Sequence, residues 1–363
     1  MLTHLFLSMT GEYSWLNVFR YVTFRGVLAV LTALGLGVIV FPYAIRKLKQ
    51  YSIGEVTRDD DVPMHSDKGG TPTMGGVIII LSVCIAVLLW ADLNIRFVWI
   101  ALLGLLGFGL LGFVDDWVKL KSVVNGTRRG LSVRVKLLLQ IVIAAVIALA
   151  FYMSATSPTE TAYIVPIFKD ISLDFGIWFI PLTMLVIVAT SNATNLTDGL
   201  DGLAILPIVL VAGGLGVFSY AAGHSVFSQY LAIPFIEGAG ELAIFCASIV
   251  GGGLAFLAFN CHPAQVFMGD VGALALGTAI AVVAVAVRQE VILFVMGGLF
   301  VVEAVSVITQ VISFKLFGRR IWLMSPLHHH LELKQWPETR ITVRLWIVSF
   351  VLVLAGLATL KIR

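Results

Sequence analysis

Charged residues are scarce in this chain of 363 residues, where Asp, Glu, Lys and Arg together make up 12%, against about a quarter in ordinary globular proteins. Cysteine is scarcer still: three residues cannot form a disulfide framework, and each thiol is predicted to be unpaired. Hydrophobic residues, in contrast, make up 59%. The composition therefore excludes a soluble enzyme and a disordered chain, and it predicts a polytopic membrane protein.

Ten apolar stretches are long enough to be membrane-spanning helices, since a span needs about 20 mainly apolar residues. These stretches are continuously apolar and do not alternate, which excludes a transmembrane β-barrel. We therefore predict an all-α membrane protein with a single domain over residues 1–363. The predicted spans are 26–45, 77–91, 97–114, 137–153, 176–190, 203–222, 242–259, 271–287, 291–314 and 345–360.

Basic residues are distributed unequally between the two sides of this predicted bundle. Of the 24 Lys and Arg residues, 17 fall in the connections that follow odd-numbered spans, and 7 fall on the other side. Loops rich in Lys and Arg stay in the cytoplasm. We therefore predict that both termini are periplasmic and that the long basic loops are cytoplasmic.

Acidic, amide and histidine side chains collect in the predicted cytoplasmic loops. A carboxylate at the end of an apolar helix costs several kcal/mol of free energy if it is neither hydrated nor paired, so water or a cation must accompany it. Carboxylate oxygens beside basic loops suit Mg²⁺ and a phosphate-bearing substrate. Zn²⁺ is the alternative that would use the histidines with a thiol, and Cys261 is the one candidate. The collected residues are Asp115, Asp116, Asn195, Asp198, Asp201, Asp270, His328, His329 and His330.

Asp115 and Asp116 follow the third predicted span, in the sequence GFVDDWVKLK. Acidic side chains at the C-terminus of a helix oppose its macrodipole, and adjacent carboxylates repel each other unless a cation or a proton intervenes. A solvated helix end is the alternative interpretation. Because the opposed macrodipole and the repulsion between the two carboxylates both cost free energy, they favour a functional role for this pair over a plain solvated helix end.

The connection at 191–202 is dense in Asn, Asp and Gly. Asp198 and Asp201 would share a helical face at i, i+3, although the two glycines are equally compatible with a tight loop. A plain polar turn would explain the asparagines and glycines well and the two aspartates poorly.

Three further features allow more than one interpretation. Asp270 opens the eighth span, where it could be an ordinary helix N-cap or part of a phosphate site at the helix N-terminus. The three consecutive histidines could form a packed loop, an adventitious metal site or a set of donors to phosphate oxygens. Glu303 lies deep in the ninth span, away from the loop cluster and with Gln310 as a candidate partner, which predicts a structural role or a role in supporting a site residue.

Five segments taken together resemble one enzyme family. They occur in order on one predicted face, so their combination is far more specific than any one of them. The chain resembles the polyprenyl-phosphate hexose-1-phosphate transferases along essentially its whole length, and the histidine triplet favours the muramoyl-pentapeptide branch over the N-acetylglucosamine branch. The segments are TPTMGG at 71–76, GFVDDWVKLK at 112–121, NLTDGLDGLA at 195–204, PAQVFMGDVG at 263–272 and PLHHHLELK at 326–334.

The resemblance implies a ten-helix, homodimeric, Mg²⁺-dependent transferase of the bacterial cytoplasmic (inner) membrane. Such an enzyme would transfer phospho-MurNAc-pentapeptide from UDP-MurNAc-pentapeptide to undecaprenyl phosphate in the membrane lipid, giving lipid I and UMP for peptidoglycan synthesis. Its active site would face the cytoplasm, and no nucleic-acid partner is expected.

The resemblance also implies roles for individual residues. Asp115 is the expected base or nucleophile, supported by Asp116 and Asp198, and Asp270 is the expected Mg²⁺ ligand. The residues expected to contact the uracil or lie near the nucleotide are Leu200, Asp201, Phe267, Asn195 and Asn260. Those expected to face the diphosphate or the incoming phosphate are His328, His329, His330, Lys68, Lys119 and Lys136.

Two alternative functions remain open. A relative that uses UDP-N-acetylglucosamine would have the same apolar spans and acidic loops. A secondary transporter or lipid flippase also fits ten apolar helices, but transporters place polar groups and broken helices near the membrane midplane. Here the polar residues concentrate at one interface, which disfavours a transporter.

Overall fold

The computed structural model describes residues 2–50, 70–124, 130–164 and 172–362. In these ranges the protein is almost entirely helical, and the strands β1 (Tyr163–Ile164) and β2 (Ser172–Leu173) form one short antiparallel pair. The helices are α1 (Leu2–Ser8), α2 (Val22–Gln50), α3 (Gly76–Trp90), α4 (Arg96–Val124), α5 (Val133–Ser154), α6 (Phe179–Thr197), α7 (Ile205–Ala222), α8 (Ser225–Leu231), α9 (Leu242–Asn260), α10 (Gly269–Ala286), α11 (Glu290–Met296), α12 (Gly298–Phe317), α13 (Leu327–Leu333) and α14 (Glu338–Ile362).

Nine helices of the described ranges, namely α2, α4, α5, α6, α7, α9, α10, α12 and α14, are long and apolar enough to cross a membrane. With the shorter apolar helix α3 they account for the ten predicted spans, and the all-α polytopic membrane fold is confirmed. Helix α10 is almost completely buried among its neighbours. Its many Gly and Ala residues make this possible, because small side chains let membrane helices approach closely. The three cysteines are free, as predicted.

The ninth span is not the single helix predicted for 291–314. It is divided into α11 and α12 at Gly297, whose backbone has φ −87° and ψ 19° and whose N–H bonds the carbonyl of Leu293 at 2.7 Å. A Cβ at this position would lie 2.9 Å from the same carbonyl oxygen. The prediction of one helix was wrong because hydropathy depends on the side chains, which are apolar throughout, and does not detect a break in the backbone.

Two helices continue beyond their predicted ends. Helix α4 runs on to Val124, so the two aspartates lie more than a turn before its end and the macrodipole argument for them was wrong. Helix α6 runs on to Thr197 instead of ending near 190. Its hydroxyls are satisfied within the bundle because they donate to backbone carbonyls: Ser191 to Leu274 at 3.0 Å and Thr194 to residue 190 at 2.9 Å.

Candidate active site

The predicted site residues converge at one end of the bundle, which we call the site end. Here α4, α6, α9 and α12 finish, and α5, α10 and α14 begin. The histidine triplet, predicted as a loop, lies on the short helix α13 at this same end. Lys68 lies outside the described residues.

A cluster of three carboxylates and two lysines, the carboxylate–lysine cluster, forms where α4, α5 and α10 meet. Lys119 Nζ lies 2.7 Å from Asp270 Oδ2, 3.1 Å from Asp115 Oδ2 and 3.5 Å from Asp116 Oδ1. Lys136 Nζ lies 3.1 Å from Asp115 Oδ2 and also contacts Asp270 Oδ2. Two ammonium groups are thus shared between carboxylates from separate helices, an arrangement that sequence spacing alone did not indicate.

The adjacent aspartates of α4 point in different directions, as expected for consecutive helical residues. Asp115 Oδ1 accepts a hydrogen bond from the N–H of Leu131 at 2.7 Å, next to α5. Asp116 Oδ2 accepts one from the N–H of Val271 at 3.1 Å, in the first turn of α10. A carboxylate at a helix N-terminus is stabilised by the exposed N–H groups and the helix dipole.

Glycines let the backbone come close to both carboxylates. Gly269 has φ +75°, a conformation that disfavours other residues, and a Cβ there would lie 2.6 Å from Asp116 Oδ2. A Cβ on Gly130 would lie 2.6 Å from Asp115 Oδ1. Backbone therefore covers the two carboxylates closely, and both are buried.

The carboxylate–lysine cluster fits a divalent cation in its chemistry. Its oxygens are the hard donors that Mg²⁺ prefers. Three carboxylates against two ammonium groups leave one formal negative charge in excess. The residues that could hold the ion are Asp115, Asp116 and Asp270.

A second group with metal-ligating side chains consists of Asp201, His262 and Glu338, whose ligand atoms lie within 4.8 Å of one another. Asp201 Oδ2 accepts from the N–H of Ala264 at 3.0 Å and lies 3.1 Å from His262 Nδ1. Glu338 Oε1 accepts from the N–H of Asp201 at 2.8 Å. These bonds tie the loop after α6 to the loop after α9 and to the start of α14. Neither His262 nor Glu338 was predicted as a site residue, and their pairing depends on the fold, which brings together residues that are far apart in sequence.

The other predicted nucleotide residues surround this second group. Asn260 Oδ1 accepts from the N–H of Gly202 at 3.0 Å, and its Nδ2 donates to the carbonyl of Val266 at 2.8 Å. Asn260 is therefore bonded to the backbone of both loops. Phe267 is partly buried, and its backbone N–H bonds the carbonyl of Pro72 at 2.8 Å, which joins the TPTMGG segment to the site end.

Three more predicted residues lie along the end of α6 and the turn after it. Asn195 is partly buried on the last turns of α6, and Asp198 is the C-cap residue of that helix. Leu200 is buried in a small apolar cluster. Its neighbours in that cluster are Leu203, Leu299 and Ile341.

The first histidine of the triplet is fully buried beside Glu303. His328 Nδ1 lies 3.3 Å from Glu303 Oε2, which also accepts from the backbone N–H of His328 at 3.4 Å. On its other side the ring presses on Gly199, where a Cβ would lie 2.3 Å from Nε2. Glu303 thus joins the site end through His328. The expected partner Gln310 and the expected distance from the loop cluster were wrong, because the chain folds back from α12 to α13 and brings His328 to the glutamate. The structural or supporting role expected for Glu303 stays a prediction.

The other two histidines have different partners. His329 Nδ1 lies 2.7 Å from Glu332 Oε2. His330 Nδ1 accepts from the N–H of Leu323 at 3.1 Å. Desolvation and the nearby Lys334 ammonium lower the pKa of His330, which favours the neutral ring that can accept this bond.

We expect Glu303→Ala to lower the free energy of unfolding by about 3 kcal/mol, because it removes the acceptor of the buried His328 backbone N–H and opens a cavity. Glu303→Gln retains an acceptor for the His328 N–H and should lose less than half as much. Thermal unfolding in detergent measures both, with the exposed Glu237→Ala as the control. Equal stability of Glu303→Ala and the parent protein would contradict the role assigned to this pair.

The fold and the site together define an integral-membrane protein in which three carboxylates and two lysines meet at one end of the apolar helices, an arrangement suited to anionic substrates at a membrane interface. The sequence model of the family 'Glycosyl transferase family 4' matches residues 98–288, which is more than half of the chain. The chain therefore belongs to this family. It is therefore a multi-pass membrane transferase that moves a sugar phosphate to a polyprenyl phosphate. The match includes the whole carboxylate–lysine cluster, whereas the histidine triplet and Glu338 lie beyond it.

Proposed function

We propose that this protein transfers phospho-MurNAc-pentapeptide from UDP-MurNAc-pentapeptide to undecaprenyl phosphate, which releases UMP and forms lipid I for peptidoglycan synthesis. The observation that carries the proposal is the carboxylate–lysine cluster, in which Lys119 and Lys136 both contact Asp115 and Asp270. Family membership supports sugar-phosphate transfer. The segment PLHHHLELK at 326–334 supports the muramoyl-pentapeptide donor, which remains a proposal.

Electrostatic repulsion is the main obstacle to this reaction. The attacking lipid phosphate and the donor diphosphate are both anions, and phosphoryl transfer depends on positioning and charge stabilisation more than on covalent chemistry by the protein. Lys119 and Lys136 would bind phosphate oxygens. Carboxylate oxygens at the junction of three helices hold their ammonium groups in place. One substrate is lipid-bound and the other is dissolved in water, so the site must lie at the membrane interface.

Asp115 is the proposed base or nucleophile of the transfer. Its Oδ1 is held by the N–H of Leu131, while Oδ2 faces both lysines. We favour direct single displacement, with Asp115 taking a proton from the lipid phosphate or orienting it. A lipid phosphate is already largely ionised at neutral pH, since its second pKa is about 6, so a strong base is less necessary.

Mg²⁺ is the proposed cofactor, with Asp270 as its ligand, while Asp116 and Asp198 are proposed to support Asp115. When bound, the ion would offset the charge of the diphosphate. Asp116 and Asp270 belong to the carboxylate–lysine cluster. Asp198 is the C-cap residue of α6, which finishes at the site end.

The donor nucleotide is proposed to lie between the loops after α6 and α9. The residues proposed to contact it are Asn195, Leu200, Asp201, Asn260 and Phe267. The hydrogen bonds of Asp201 and Asn260 fix the two loops against each other, which would hold a planar base in a constant position. The histidine triplet is proposed to act on the phosphates, directly or through the loop that contains Gly199.

The proposal places the site end at the cytoplasmic side of the bacterial inner membrane. Its support is the excess of basic residues in the connections on that side, 17 of 24. The donor is a cytosolic nucleotide, so the catalytic residues must face the cytoplasm. A homodimer within the membrane is proposed from the family resemblance.

Purified protein in detergent is expected to release UMP from UDP-MurNAc-pentapeptide when polyprenyl phosphate and Mg²⁺ are present. EDTA should lower the rate by at least about tenfold, because the anionic reactants then lose charge compensation. UDP-N-acetylglucosamine is tested in parallel as the donor. The measurement is UMP release by coupled assay or chromatography.

Each outcome of this assay has one interpretation. Release from the muramoyl donor alone supports the proposed substrate, whereas release from UDP-N-acetylglucosamine alone would keep the chemistry and overturn the donor. Full activity in EDTA would contradict the metal requirement. If a folded preparation releases no UMP from either donor, the proposed donor and the proposed acceptor are both contradicted.

A further inference from the structure

A cavity of about 470 Å³ opens where α12 ends, and it is built from residues that the proposed function does not use. It is lined by Ser313, Phe317, Arg319, Arg320 and Ile321. The first two belong to α12, and the other three belong to the segment that connects α12 to α13.

The connecting segment is held in a defined conformation on α12. Gln310 Oε1 accepts from the N–H groups of Ile321 and Trp322, at 3.0 Å each, and Gln310 Nε2 donates to the carbonyl of Trp322 at 3.0 Å. Ser313 Oγ donates to the carbonyl of Arg319 at 2.9 Å. Side-chain bonds from α12 therefore fix the backbone on both sides of Arg320, and the two arginines are presented at a constant place.

Within the described ranges, neither guanidinium group has an acidic partner. Among the residues that the structure describes, neither Arg319 nor Arg320 has a carboxylate within the 4.0 Å of a salt bridge, and both are exposed. The C-terminal dipole of α12 also interacts favourably with basic residues. That interaction alone does not explain why a cavity lies beside them. Arginine guanidinium groups match the oxygens of a phosphate, so the chemistry of this pair suits an anion.

The side chains around the cavity are apolar and exposed, as expected of a surface that faces lipid. Leu316 and Phe317 are each 71% exposed, and Phe314, Ile321 and Leu323 are also exposed. Helix α12 is long and apolar enough to span the membrane, and it ends at Phe317. Basic side chains at the end of a span, next to exposed apolar ones, lie at the depth of phospholipid head groups.

We propose that this cavity binds the phosphodiester head group of an anionic membrane phospholipid. Arg319 and Arg320 would contact the phosphate, and the exposed side chains of Leu316 and Phe317 would lie along the acyl chains. The same segment continues to Leu323, whose N–H bonds His330 of the histidine triplet at 3.1 Å. A bound phospholipid would therefore stabilise the segment that leads into the site end. This inference is independent of the identity of the sugar donor.

The test compares two double variants of the full-length protein in lipid-free detergent. Arg319→Gln with Arg320→Gln removes the proposed anion site, and Arg46→Gln with Lys47→Gln removes the same charge from two exposed residues at the end of α2. Dioleoylphosphatidylglycerol and dioleoylphosphatidylcholine are titrated, and bound lipid is counted by native mass spectrometry. Since one basic side chain near an anionic lipid contributes about five- to sixfold in affinity, the Arg319/Arg320 pair should lose about 30-fold for phosphatidylglycerol.

The expected result is this loss in the Arg319/Arg320 variant, unchanged binding in the Arg46/Lys47 variant and weak binding of phosphatidylcholine throughout. Equal loss in both double variants would overturn the proposal, because it would indicate a general charge effect. Equal binding of the two phospholipids would overturn it as well. A third arm adds polyprenyl monophosphate: displacement of phosphatidylglycerol from the parent protein but not from the Arg319/Arg320 variant would assign the cavity to the acceptor instead.

Discussion

Turnover of the Asp115→Asn variant is expected to be at least about 10³-fold below that of the parent protein, since a positioned acid–base or charge-stabilising group contributes up to about 10⁴-fold. The substitution keeps the size of the side chain, and an amide oxygen can still accept from the N–H of Leu131. It removes the negative charge that both Lys119 and Lys136 contact. The fold should therefore persist while the charge distribution of the site changes.

Steady-state UMP release against donor concentration measures this effect. A loss in kcat with little change in KM for the donor would indicate that Asp115 acts on the reacting phosphates. The matched control is Asp174→Asn, which changes an exposed carboxylate remote in sequence from the carboxylate–lysine cluster. Thermal unfolding must show that Asp115→Asn remains folded. Activity of that variant within tenfold of the parent value would remove Asp115 from the mechanism.

The spans were predictable from sequence because the membrane imposes one simple requirement, about 20 apolar residues for each crossing. That requirement does not fix where a helix ends. The polar end of α6 is helical, and its hydroxyls donate to backbone carbonyls, as Thr197 does to Ala193 at 2.9 Å. Nor does hydropathy detect the break at Gly297, since the side chains on both sides of it are apolar.

The acidic members of the candidate site were predictable because carboxylates are conspicuous in an apolar chain. The basic and histidine partners of these carboxylates were harder to predict. The contact between Lys136 and Asp270 joins residues 134 positions apart, and Glu303 meets His328 through a turn that no local pattern encodes. Residue type and side of the membrane indicate the members of a site, whereas the pairing of members depends on how helices cross.

Helix crossing at this site depends on small residues that are scattered through the sequence. A Cβ on Gly76 would lie 2.3 Å from the Cα of Gly272, and one on Gly112 would lie 2.3 Å from the carbonyl oxygen of Asp270. Glycines at such positions allow helix backbones in membranes to touch. The first turn of α10, with Asp270, is therefore brought against α3 and α4 by the absence of side chains.

Gly112→Ala is accordingly expected to lower activity by about 10²-fold, because separating α4 from α10 by even about 1 Å moves Asp270 relative to Asp115 and can cost that much in rate. The new methyl group would meet backbone atoms of Asp270 and Val271 at 2.3 to 2.5 Å, which cannot rotate away as a side chain could. Overpacking of this kind also destabilises by about 1–3 kcal/mol.

Gly35→Ala is the matched control for this substitution. It makes the same chemical change within the long helix α2, at a position where no atom of the described structure lies within 4 Å of the added Cβ. UMP release and thermal unfolding are measured for both variants. The control should match the parent protein in both, whereas Gly112→Ala should lose activity by a larger factor than its stability change can explain. Parent-level activity in Gly112→Ala would mean that α4 and α10 can separate without disturbing the carboxylates, and the close backbone contact would then have no role in positioning the site.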